Sequence, residues 1–209
     1  MHIPDGFLNA KVSAVTWIIS LMGIGFYLKK ITVTLKDKMV PLMGVMSAFI
    51  FAAQMINFPI FGGTSGHLLG AALAAILLGP CAAAIVLTCV LVVQCVLFQD
   101  GGITALGANI LNMALLATFG GYLPYRLIKN IARGPAGTIW ATAAAAWVAV
   151  MIAACGCALE LALSGTAPLK IVLTAMAGMH AATGIIEAVI TCSIVSFILK
   201  VRPDLLYQP

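Results

Sequence analysis

Three histidines are the side chains of this 209-residue chain best suited to hold a metal ion or move a proton near neutral pH: His2, His67 and His180. His2 has a special position. A free N-terminal amine, the backbone nitrogen of residue 2 and the imidazole Nδ1 of residue 2 can bind one metal together, closing two fused chelate rings. The arrangement needs a metal able to displace an amide proton, as Ni²⁺ and Cu²⁺ do in planar nitrogen fields, and a fourth nitrogen completes the square plane. His67, at the end of the glycine-rich run Gly62-Gly63-Thr64-Ser65-Gly66, is a candidate for it. Pro4 lacks an N–H and keeps Ile3 extended, and Asp5-Gly6 reads as a turn, so the terminus has the means to fold back. Competing readings stand beside these: His2 as a frayed residue at a chain end, and His67 as an interfacial histidine bonded to a loop carbonyl.

The elements that must position these residues are membrane helices. Of the chain, 63% is hydrophobic and only 8% charged; a soluble domain carries about 25% charged residues, so this composition cannot cover a water-facing surface. The runs 12–28, 40–58 and 81–98 hold no charged side chain, and at roughly 1.5 Å per residue each nearly crosses a ~30 Å hydrocarbon core. Helices follow because backbone groups in lipid must be satisfied within each segment. The alternation of a transmembrane barrel strand is absent. No Lys or Arg precedes the first apolar run, which argues against a cleavable signal peptide. The expectation is that Met1 is the mature first residue. The six cysteines all lie inside apolar runs, and Cys155-Gly156-Cys157 lacks the CxxC spacing; they read as packing residues.

Breaks in the pattern predict an all-α bundle of about seven transmembrane helices in a single membrane domain, near 12–28, 40–58, 67–78, 81–98, 103–123, 137–161 and 170–199, preceded by the segment 1–11. The last is either strongly tilted or broken near Gly178. With the N-terminus outside and the C-terminus cytoplasmic, nine of the eleven basic residues fall inside, leaving Lys11 and Lys170 outside, as the positive-inside rule requires. The +5 net charge is thus divided by membrane side and points to no nucleic acid. There is no internal repeat of an inverted-repeat carrier and no phosphate-binding loop motif. Energy for uphill transport must come from a partner.

This topology places all three histidines toward the outer face. His180 and Glu187 share a helical face with Thr183 and Gly184, and ionisable groups inside a membrane invite a functional reading. The alternative is a His–Thr–Glu hydrogen-bond seam between helices. Glu187 is expected too deep to touch a ligand at the outer surface. His180, Asn57 and Asp5 are candidates to support metal-binding groups from behind; Gln54, Asn57 and Asn112 also suit interhelical hydrogen bonding. Two rival functions remain on the page. Gly63-Thr64-Ser65-Gly66 matches a short serine-protease pattern with His180 as base, but leaves Met1-His2 unexplained. A stand-alone ion channel or proton-coupled carrier would be built on Glu187.

The opening Met1-His2-Ile3-Pro4-Asp5-Gly6-Phe7-Leu8 resembles the start of the CbiM/NikM family, the substrate-binding membrane subunits of energy-coupling-factor transporters for cobalt and nickel. Gly66-His67 and His180-x-x-x-Gly184-x-x-Glu187-Ala188 extend the likeness over essentially the whole chain. The resemblance implies capture of Ni²⁺ or Co²⁺ at the outer face of the cell membrane. Met1 would give its amine, His2 its amide and imidazole nitrogens, and His67 the fourth nitrogen. The metal is then transported substrate, no cofactor is needed, and the chain is not an enzyme. The implied partners are a transmembrane coupling subunit and two cytoplasmic ATPase subunits, with room for a small additional membrane subunit. Ala48-x-x-x-Ala52 looks like the small-residue face that docks on the coupling subunit.

Overall fold

The computed structural model describes residues 1–34, 39–56, 58–60 and 64–207. The chain is a helical bundle. Helix α1 spans Ala10–Thr34, α2 Met39–Met55, α3 Ala71–Leu78 and α4 Pro80–Phe98. One continuous rod follows: α5 (Leu106–Asn109) passes through a π-helical stretch (Ile110–Leu116) into α6 (Ala117–Ile131). Helices α7 (Gly134–Leu163) and α8 (Leu169–Val201) complete the bundle. Between α2 and α3, strands β1 (Phe58–Ile60) and β2 (Thr64–Gly66) pair antiparallel, Phe58 opposite Gly66. The residues just before His67, Thr64–Gly66, are therefore a short paired strand.

Packing follows the small residues. Helix α7 lies along both α6 and α8, and its buried side is mostly alanine, including Ala141, Ala145, Ala149 and Ala153. Such residues let helices approach closely where lipid supplies no hydrophobic drive between them. Large apolar side chains such as Ile18, Leu21, Met22, Ile185 and Val189 are exposed instead, as a lipid-facing surface requires. Helix α8 is unbroken through Gly178. Its 33 residues give a rod of about 50 Å, longer than the ~30 Å core.

Among the described residues, five helices are long and apolar enough to cross a membrane unaided, and α2 is a shorter apolar helix of 17 residues. Helix α3 is the exception: its eight residues extend only about 12 Å, and every one of them is buried. Yet the segment joins the two ends of the bundle. His67 stacks on His2, while the Ile76 carbonyl accepts a hydrogen bond from Tyr207 N near the C-terminus at 2.9 Å. His67 itself is 4% exposed, so its side chain stands sunk within the bundle. That depth changes the reading of Glu187, as the site makes clear.

Candidate metal centre

The first residues thread into the bundle. Met1 is 1% exposed and Ile3 0%, and Ile3 is held by identifiable groups. Ile3 N donates to Asn109 Oδ1 at 2.8 Å, and Asn109 Nδ2 donates to Ile3 O at 3.2 Å. Gly102 N adds a third bond to Ile3 O at 2.9 Å. Asp5 accepts from Ile103 N at 3.1 Å, Thr104 N at 2.8 Å and Thr104 Oγ1 at 2.5 Å. Only glycine serves at 102, because a Cβ there would stand 2.2 Å from Asp5 N. Thr166 Oγ1 donates to Phe7 O, and Asn9 Nδ2 to Leu163 O at 3.2 Å. The backbone N–H and carbonyl of Ile3 are thus paired as those of an edge-strand residue would be.

Two histidine rings meet here, with His180 within electrostatic reach of His67. The rings of His2 and His67 are stacked, centroids 4.7 Å apart and planes 21° from parallel. His67 Nδ1 donates to Leu68 O at 2.8 Å, which fixes the tautomer and turns Nε2 into a lone-pair donor. That Nε2 is buried without a hydrogen-bond partner. His180 repeats the arrangement: Nδ1 bonds Met176 O at 2.8 Å and Nε2 is buried and unpartnered. On His2, Nε2 lies 3.2 Å from Gln94 Oε1, and Nδ1 lies 3.2 Å from Asp100 Oδ1.

Burial makes these nitrogens neutral bases. It lowers the Met1 amine from its ordinary 8.0 to about 5, against the opposing pull of Cys157 and Asp100. It lowers His2 as well, with the Asp100 contact opposing. His67 is held well below the usual imidazole value by burial, then by the Met1 amine, His2 and, more weakly, His180. Burial pushes Asp100 upward, but its contacts with His2 and the Met1 amine outweigh this and leave it lowered. Neutral nitrogens are what a metal needs from amine and imidazole donors. Among the described residues, no group of three His, Cys, Asp or Glu side chains is placed to hold a metal.

The loop carrying His67 is held from two sides. Gln54 Nε2 donates to Leu69 O at 2.8 Å. The two oxygens of Glu187 accept from Leu69 N and Gly70 N, each at 2.7 Å, at the entry to α3. His67 and Glu187 also reach a mainly apolar cleft of about 310 Å³ between α2 and α8, lined by Phe49, Ile56 and Ile186 among others. Glu187 is therefore not remote from the centre. Nor does a His–Thr–Glu seam form, since Thr183 Oγ1 bonds the His180 carbonyl and Glu187 bonds main chain.

Of the residues singled out from sequence, Met1, His2, His67 and His180 come together. Asp5 anchors the entering backbone through Ile103 and Thr104. Ala48 and Ala52 lie exposed on α2, and Asn57 falls outside the described residues. Gln94, Asp100 and Asn109 belong to the site and carried no sequence expectation. Neither did Glu160, which is buried and accepts from Asn112 Nδ2 at 2.6 Å. An acid inside an apolar run was a signal available for Glu160; the others need the folded terminus to acquire their partners.

Comparison with known proteins agrees with this architecture. The family model described as "Cobalt uptake substrate-specific transmembrane region", CbiM, matches residues 2–205. A protein of Archaeoglobus fulgidus, provisionally named a fused nickel transport protein NikMN, is 42% identical over 100% of this chain and 68% of its own length. One of Haloquadratum walsbyi, provisionally named a metal transport protein, is 41% identical over 99% of this chain and 94% of its own. A crystal structure of a truncated transition metal transporter superposes with a TM-score of 0.89 at 39% identity, covering 96% of this chain and 99% of that one. A multi-pass membrane bundle with a nitrogen-rich buried terminus, matched along nearly its whole length, belongs to the CbiM family of nickel and cobalt transport proteins.

Proposed function

We propose that this chain is the substrate-binding subunit of an energy-coupling-factor transporter, capturing Ni²⁺ or Co²⁺ at the outer face of the cell membrane. The ligands are the Met1 amine, the His2 amide and Nδ1, and His67 Nε2. The observation that supports this most is the stacking of His2 and His67 at 4.7 Å beside a fully buried Met1, with His67 Nε2 lacking any other partner.

Each surrounding group has work in that reading. Leu68 O and Gln94 Oε1 take the ring protons of His67 and His2, leaving Nε2 of the first and Nδ1 of the second for the ion. Asn109 and Gly102 hold Ile3, so the chelating residues arrive ordered and binding loses little chain entropy. Glu187 and Gln54 hold the loop of His67. The ion displaces the His2 amide proton as it binds.

The metal is cargo, and the chain brings no ATPase of its own. Import needs a transmembrane coupling subunit and two cytoplasmic ATPases, with exposed Ala48 and Ala52 on α2 as the docking face. The basic residues between α1 and α2, around α6 and after α8 orient the N-terminus outward. A small additional membrane subunit suits the length of the Archaeoglobus relative, which exceeds this chain by about a third of its own extent.

Titration calorimetry on purified protein tests the ligand set. About one Ni²⁺ or Co²⁺ should bind per chain, and His2→Ala and His67→Ala should each weaken binding by well over about 100-fold, because removing one arm of a chelate forfeits the ordering of the rest. Undiminished affinity in His67→Ala would remove that residue from the ligand set.

A further inference from the structure

Glu160 lies buried on α7, 6% exposed, beside Asn112, which is 1% exposed. Asn112 Nδ2 donates to Glu160 Oε2 at 2.6 Å. The other two oxygens of the pair, Glu160 Oε1 and Asn112 Oδ1, are buried with no hydrogen-bond partner among the described residues. The carboxamide lies along α7, since a Cβ on Gly156 would stand 2.3 Å from Asn112 Oδ1. Gly156 and Glu160 are four residues apart on one helical face, and helical side chains lean toward the N-terminal end. The Glu160 carboxyl is thereby carried toward Gly156 and the free oxygen of Asn112.

As a carboxylate, Glu160 would bury a charge with a single donor on it and a bare acceptor opposite, which apolar surroundings disfavour. The rod of α5 and α6 offers it only the neutral Asn112. Among the described residues the titratable group acting beside it is the Cys157 thiol on its own helix, and beyond that thiol the Met1 amine. One proton satisfies all four polar atoms. Protonated on Oε1, the acid gains an O–H donor. That O–H donates to Asn112 Oδ1 while Asn112 Nδ2 donates to Oε2, and acid and amide close a ring of paired hydrogen bonds. A hard cation takes about six oxygens, far more than this pair supplies.

We propose that Glu160 and Asn112 form a proton-binding site, with Glu160 held as the neutral acid, and that the closed pair positions the turn gripping the entering chain. Asn112 lies in the π-helical stretch Ile110–Leu116, three residues after Asn109, whose carboxamide pairs with Ile3. The link to metal capture rests on the chelate described above. When the proton leaves to water, the Oε1–H bond breaks, its electron pair stays on oxygen, and a carboxylate faces the amide oxygen. Asn112 is then pushed away, the widened turn shifts and Ile3 loses its hold. Protonation of Glu160 and docking of the terminus therefore strengthen each other.

Infrared spectroscopy on the full-length chain in detergent reads the proton directly. The chain has only two glutamates, Glu160 and Glu187, so glutamate labelled with carbon-13 at its side-chain carboxyl marks few bands. Near neutral pH a protonated-acid C=O band that shifts with the label should be present, persist in Glu187→Gln and vanish in Glu160→Gln. In Asn112→Leu it should move to higher frequency, because the acid has lost its amide partner. Glu160→Gln keeps the ring, its NH₂ donating to Asn112 Oδ1, so Ni²⁺ affinity should stay within about twofold, whereas Asn112→Leu should lose about tenfold. Labelled glutamates showing carboxylate bands alone, a band lost in Glu187→Gln instead, or an unmoved band in Asn112→Leu overturns the proposal. So does a loss of affinity in Glu160→Gln as large as in Asn112→Leu. The labelled wild type and Glu187→Gln decide the proton site even where Glu160→Gln folds poorly. Failure of the wild type to bind Ni²⁺ strikes the chelate, a separate result that leaves the infrared band to decide the proton site.

Discussion

The carboxamide of Asn109 brackets the peptide unit of Ile3, accepting from its N–H at 2.8 Å and donating to its carbonyl at 3.2 Å. A side chain 106 residues away thus does for the terminus what a neighbouring strand would do. Asn109 sits where α5 passes into the π-helical stretch Ile110–Leu116, a kind of widened turn frequent at functional sites. Asn109→Ala deletes both bonds and leaves the Ile3 peptide half-paired in a buried place. Metal affinity should drop by about 10–100-fold with the gel-filtration profile unchanged. Wild-type affinity would mean that Gly102 and Asp5 suffice to hold the entering chain.

Glu187 gives a second prediction, because its carboxylate serves two successive N–H groups of the loop after His67. In Glu187→Gln one acceptor oxygen becomes an NH₂ facing an N–H, which leaves a buried donor unpaired. The loop must shift, and Ni²⁺ affinity should fall by about tenfold, even though Glu187 is not itself a ligand. Calorimetry showing equal affinity in Glu187→Gln would place the control of His67 with Gln54 alone.

Proton release reports the state of the terminus before metal arrives. A docked Met1 amine, lowered from 8.0 to about 5 by burial, is neutral above about pH 5, whereas an undocked amine is protonated below 8. The undocked form binds more protons between these values, so docking strengthens as pH rises through that window. At pH 7 a docked chain has only the His2 amide proton to surrender, so uptake should release about one proton rather than the two of a flexible terminus. Below about pH 5 affinity should fall more steeply. Calorimetry in buffers of different ionisation enthalpy gives the count, and a value near two would show that the terminus docks only with the ion.

Ala48 and Ala52 lie exposed on α2. Ala48→Trp or Ala52→Trp should leave Ni²⁺ affinity within about twofold while obstructing close helix approach. Co-purification with the coupling subunit and ATP-driven uptake should both fall. Normal assembly with Ala48→Trp would assign docking to another face.

How much of this could be read from residues alone follows the physics of each part. The apolar runs announced the bundle because lipid leaves a backbone so few choices. Helix α3 shows where run length misleads. Residues 67–78 form one apolar segment in sequence, but only Ala71–Leu78 is helical, the Leu69 and Gly70 backbone being bonded instead by Gln54 and Glu187. That in turn brings Glu187 close to His67, against the depth expected from counting turns. Gln94 is a buried polar residue in an apolar helix, a signature shared by any interhelical hydrogen bond. Its tie to His2 exists only once the terminus has folded in. Asp100 reads as part of a Gly-rich turn, and no periodicity relates it to residue 2.

The most direct measurement concerns the amine rather than any side chain. Adding one residue before Met1, or acetylating Met1, leaves every side chain of the centre in place but turns the terminal amine into an amide. That nitrogen then binds only after losing a proton, and the ring closed by a terminal donor is gone. Extension also shifts His2 to the third position. Ni²⁺ affinity, measured by calorimetry on the intact modified protein, should fall by well over about 100-fold. Mass spectrometry must confirm that the added group remains. An extended or acetylated chain that binds Ni²⁺ as tightly as the unmodified one would contradict the chelate, leaving the histidines to hold the ion without the chain end.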